Sequence, residues 1–208
     1  MIPRIGAFHH MFQRSHVSVV RSIRQVSLIR DWQRARAGGT DLPNIATFTP
    51  SERAGDMLDV SIFRVAADGG RPAYLCVHAG ERVRTIHDEA MRERSLRDCL
   101  DAEMAAAAAP VWDACISTRL PVYSTIMVPD PEGCPVTVEQ VFLPYCGKSA
   151  EPEFMVASLH AWSTEGRFVA KGLLRVRGPV PAHHAVLIDP AIAPGSGPAE
   201  PATRAGAD

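Results

Sequence analysis

The sequence lacks the short motifs that mark the common catalytic centres: Gly-x-Ser-x-Gly, a P-loop lysine, Gly-x-Gly-x-x-Gly and His-Glu-x-x-His are all missing. That removes the enzyme classes easiest to read from a sequence. Its five cysteines, Cys76, Cys99, Cys115, Cys134 and Cys146, are odd in number and contain no Cys-x-x-Cys pair, which argues against a disulfide framework and a zinc knuckle. Reduced thiols in a cytoplasm are the expectation. No run approaches the ~20 consecutive apolar residues that cross a bilayer, so membrane insertion is not expected. An excess of one charge sign is missing as well. The formal net charge of -1 provides no overall field for polyanions, so neither nucleic acid nor a membrane surface is an expected partner.

What is present fits one globular domain with tails: 208 residues, 46% apolar and 22% charged. The first 36 residues hold Arg4, Arg14, Arg21, Arg24, Arg30, Arg34 and Arg36 against a single acid, Asp31. This composition overlaps with an organellar transit peptide. The run leads straight into a helical segment containing Trp32, with no break where cleavage would leave a clean start, so a retained cap helix is expected.

Four segments follow from the patterning. Residues 1–16 have little period and read as a loose arm. Residues 17–40 read as a cap helix ending at Gly38-Gly39, with Val19, Ile23 and Val26 on one side and Leu28, Ile29 and Trp32 drifting to another. Residues 41–178 form the domain, and the Pro-, Ala- and Gly-rich residues 179–208 read as a disordered tail. Within the domain, Leu58, Val60 and Ile62 alternate with polar residues as a strand does, and Asp68-Gly69-Gly70 turns into a return strand over 73–78. Residues 81–94 predict one or two short helices, and 96–118 a longer one interrupted or restarted near Pro110. Strands over 122–128, 136–143 and 154–162 complete the order. The expected sheet is five-stranded and antiparallel, with residues 81–118 crossing one face.

Local words sharpen this order. They are Asp31-Trp32 near the end of the cap helix, Leu42-Pro43 and Thr49-Pro50 in the connector, and Tyr74 to Gly80 in the second strand. Leu120-Pro121-Val122 enters the third strand and Leu143-Pro144 closes the fourth. Together, over residues 28–160, they resemble a bacterial family of small single-domain PAS-like proteins with an N-terminal cap helix. The sequence departs from that pattern at Asn44, at Glu81, and at Thr85-Ile86-His87-Asp88-Glu89 in place of a Gly-rich turn. The resemblance implies an α+β, PAS-like fold with a cavity between sheet and helices. It also implies a sensory or regulatory role in signalling and a dimer or partner surface on the cap helix or outer sheet face. A module without an attached output domain would act by binding another protein.

Strand alternation puts Tyr74, Cys76 and His78 on one face, and with Trp112 and Tyr123 they are the residues expected to line such a cavity. Val19, Ile23, Val26 and Trp32 are the expected homodimer or partner surface. Each has a plainer reading: a satisfied histidine is commoner than a haem ligand, and a buried cysteine is commoner than a reactive thiol. His87-Asp88-Glu89 is the densest titratable cluster, and a solvated helix face is its expected role. His9-His10 and His183-His184 fall in expected mobile termini and receive none. No metal site, catalytic residue or cofactor identity is assigned. The alternative to a sensor that binds a small ligand or a signalling partner is a small cavity enzyme of the cone-shaped α+β type. There, His78 with Asp59 would be the first acid-base pair to examine.

Overall fold

The computed structural model describes residues 12–36, 41–49, 56–68, 71–88, 90–175 and 184–194. His9-His10, Gly38-Gly39, Pro50, Gly69-Gly70, Glu89, His183 and residues 195–208 of the expected tail lie outside them.

Five strands carry the expected alternation: β2 (Val60–Asp68), β3 (Arg71–Ala79), β4 (Val122–Pro129), β5 (Pro135–Cys146) and β6 (Pro152–Trp162). They pair antiparallel in the order β4-β5-β6-β2-β3. The sheet nonetheless has seven strands and is mixed, because β1 (Gln13–Ser15) and β7 (His184–Ile188) extend the β4 edge. β7 runs antiparallel to β4, and β1 lies parallel to β7. Both extra strands come from segments that composition assigns to a loose arm and a disordered tail. A run of four apolar residues, Ala185 to Ile188, is diluted in a Pro-rich window, yet Leu187 and Ile188 are buried, one in each of two core clusters. Asp189 then accepts an ion pair from Arg14 at 2.8 Å, tying the two segments together.

The inner face is crossed by α2 (Glu81–His87), a 3-10 turn over Leu96–Cys99, and α3 (Ala102–Thr118). α3 is continuous through Pro110, against expectation. Proline removes one helical hydrogen bond and crowds the preceding turn. Here the alanine-rich face, with Ala105, Ala108, Ala109 and Ala114 all buried, packs closely enough to keep the helix whole. Gly80 links β3 to α2 where a Cβ would strike the carbonyl oxygens of Met57 and Leu58, so the close backbone approach demands glycine.

The outer face is covered by α1 (Ile23–Ala35), capped by the Ser22 hydroxyl, which accepts from the Gln25 N–H at 3.5 Å. The helix buries one stripe, Gln25, Ile29 and Trp32, spaced as successive turns of a single face. The expected second apolar face does not exist as such. Val17–Val19 form a separate 3-10 turn, and Val20 and Ser22 are extended, so the helical phase of Val19 does not carry into α1. No helix among the described residues is long and apolar enough to cross a membrane.

Candidate functional site

Alternation along β5 sorts its side chains between two cores. Val136, Val138 and Phe142 point inward with Val122, Ile126 and Leu159, while Val141, Leu143 and Tyr145 point outward toward α1. Between the inner face and the helices lies a small cavity of about 30 Å³, walled by Phe63, Leu96, Leu100, Met104, Trp112 and Phe142, with Ser61, His87 and Gln140 as polar members. A volume of that size holds roughly one or a few waters.

His87 is the residue that sequence reasoning misplaced. It is 4% exposed, not part of a solvated helix face, and its Nδ1 lies 3.2 Å from the Cys99 carbonyl oxygen. A carbonyl only accepts, so Nδ1 carries the proton and Nε2 is left as an acceptor. Burial, with Arg175 nearby, lowers the ring pKa to about 4 against the opposing pull of the Cys99 hydrogen bond, and the imidazole is neutral at neutral pH. The backbone on either side is fastened down. Gly172 N–H donates to Thr85, Leu174 N–H to Ile86 and Arg175 Nε to the His87 carbonyl, at 3.0, 3.2 and 3.0 Å. The signal was present in the sequence: His87 lies four residues after Val83 and one after Ile86, on the apolar side of its helix. Gln140 was equally legible, two residues from Val138 and from Phe142 on the inward face.

Of the five expected wall residues, only Trp112 lines the cavity. Tyr74 is buried behind it. Its hydroxyl donates to Asp113 at 2.6 Å and its ring meets Trp112 edge-on, with centroids 5.8 Å apart, so it supports the wall. Cys76 is buried in the same core, its thiol pushed up to about 11 chiefly by burial, which leaves little thiolate for chemistry. His78 departs because β3 is bulged. Ile62 faces His78 while Phe63 faces Cys76, so Val77 is an extra residue and the alternation does not reach His78. His78 borders an open groove with Arg84, Asp88 and Lys171. Tyr123 lies on the opposite sheet face, in the outer core, where burial and the neighbouring Glu139 push its hydroxyl up to about 12. Asp59 does not join His78 as an acid-base pair; its carboxylate is taken by Arg24 at 3.1 Å and Arg82 at 2.9 Å.

The outer core has its own polar set. Gln25 is fully buried, and its amide donates to the Glu139 and Ser158 carbonyls at 3.1 and 3.2 Å, stitching α1 to β5 and β6. Glu139 is 1% exposed and accepts from the Trp162 indole at 3.0 Å. Trp32 is wholly interior and donates to the Pro144 carbonyl at 2.7 Å, so it belongs to the core of its own subunit and not to a partner surface. Val26 is half-buried against the same core. Of the expected partner surface, Ile23 at 86% exposure and Val19 at 40% remain outward. His160 is exposed.

A family model described as a PAS domain matches residues 20–160, from just before α1 into the last residues of β6. It contains His87, Trp112 and Gln140 and excludes β1 and β7. No curated protein matches the chain.

Proposed function

The chain belongs to the PAS domain family, a sensory or regulatory module in kind. On that premise we propose that it is a non-enzymatic regulator that takes a small ligand into its inner cavity and passes the change to another protein through α1. The observation that carries this is the shared sheet: Gln140 and Phe142 on β5 wall the cavity, while the Glu139 carbonyl on the same strand receives Gln25 of α1. A shift of β5 is thereby felt on both faces.

Association of two copies, or docking of a signalling protein, would use Val19 and Ile23, because Val26 and Trp32 are turned into the subunit. The five unpaired cysteines suit a reducing cytoplasm. Native mass spectrometry of the full chain tests the reading, since one spectrum reports a retained small molecule and the subunit count. The expected result is a bound mass whose removal alters amide exchange in α1. A chain that retains nothing, and whose α1 exchange is unmoved when Ala108→Leu fills the cavity, would overturn it.

A further inference from the structure

The cavity is polar in an unusually narrow sense. Its described wall carries no Asp, Glu, Lys or Arg, so neither an anion nor a cation would find a counter-charge there. The polar side chains of the wall include His87, whose Nε2 takes part in no hydrogen bond among the described residues, and Gln140, whose amide likewise takes part in none; the Ser61 hydroxyl and the Trp112 indole N–H are the further polar groups. The rest of the surface is Phe, Leu, Met, Val, Ile and Ala, with Ser158.

Resting on the cavity reading above, we propose that this site selects a small, neutral, mostly apolar molecule bearing one hydrogen-bond donor, which the ligand gives to Nε2 of His87 while Gln140 contacts the same polar end. The ring cannot offer a cationic N–H at neutral pH, because burial holds it unprotonated. An alcohol or phenol hydroxyl is therefore recognised as a donor. The resting volume of about 30 Å³ accommodates a ligand of very few heavy atoms. An aromatic ring enters by displacing Met104 and Leu100. Methionine is the most adaptable apolar side chain, and Leu100 lies at the joint between the 3-10 turn and α3.

The test is a titration of the full chain, followed by amide and histidine-ring ¹⁵N NMR, with four probes: 1-propanol, phenol, benzene and benzoate. Phenol should bind at least about tenfold more tightly than benzene, since benzene offers no donor to Nε2 of His87. 1-Propanol should move the same resonances, benzoate should not, and the His87 Nε2 resonance should shift with phenol alone of the two rings. His87→Phe should erase the preference for phenol while benzene still binds, and Gln140→Leu, an independent change on a strand, should reduce it. Equal binding of phenol and benzene, tighter binding of benzoate, or a preference that survives both substitutions would overturn the proposal. If none of the probes binds while native mass spectrometry shows a different retained molecule, the ligand class is wrong and the regulatory reading stands. If neither probes nor any retained molecule occupies the cavity and α1 is unresponsive, both fail.

Discussion

The two faces of the sheet are buried by different means. On the inner face, α3 lies close through alanines and leaves a small apolar void beside a neutral histidine. On the outer face, α1 is fastened at defined atoms: Gln25 bonds two adjacent strands and Trp32 reaches the Pro144 carbonyl. Van der Waals packing tolerates rearrangement at modest cost, whereas buried hydrogen bonds resist it, since each broken one strands a desolvated group. The inner side is thus the one whose packing can yield, and the outer side the one whose contacts resist a change of strand position.

The largest effect expected from breaking this contrast is at Trp32. Trp32→Ala should cost about 3–5 kcal/mol in urea unfolding, from lost apolar burial and the orphaned Pro144 carbonyl. A loss below about 1 kcal/mol would show that α1 is not integral to the fold.

Next comes His87. Its folded pKa, about 4, lies below its ordinary value of 6.5, so the unfolded chain binds more protons between the two. Stability is fully present above the unfolded value and falls as pH drops toward 4. The loss is on the order of a few kcal/mol. The difference in unfolding free energy between the parent and His87→Phe, followed from pH 7 to 4, isolates this contribution from carboxylates common to both. Parallel pH profiles would mean that the ring is solvated.

The smallest effect is at Ile23, 86% exposed. Ile23→Asp should change subunit stability by less than about 0.5 kcal/mol. If two copies meet through Val19 and Ile23, light scattering should show the parent as a dimer and this variant as a folded monomer. A parent already monomeric at high concentration would assign that surface elsewhere.

Much of this architecture was legible. The order of five strands around a helical excursion follows from period-2 runs bounded by turn residues, and the cap helix follows from its apolar stripe. The errors have a common physical origin. Alternation says which residues share a face, but not which face is inward. Alternation therefore leaves open that Tyr123 faces the cavity, whereas Tyr123 lies in the outer core and its neighbour Val122 in the inner one. Alternation also assumes an unbroken strand, which the extra Val77 violates ahead of His78, just as the extended Val20 and Ser22 break the helical phase ahead of α1. β7 was lost for another reason: its few apolar residues gain their burial from β4 and β1, distant in sequence, so no local window reveals it.

Asp59 precedes β2 and holds one guanidinium from each of two helices on opposite faces, Arg24 of α1 and Arg82 of α2. One carboxylate thereby serves as a common tether at the sheet's rim, outside both cores. The two contacts share one Asp59 oxygen, Oδ2, so both arginines draw on the same acceptor. Both arginines are more than half exposed, so their attraction is screened by ordinary electrolyte. The mechanical link between the helices is accordingly adjustable by ionic strength, while the hydrogen bonds beneath α1 are not.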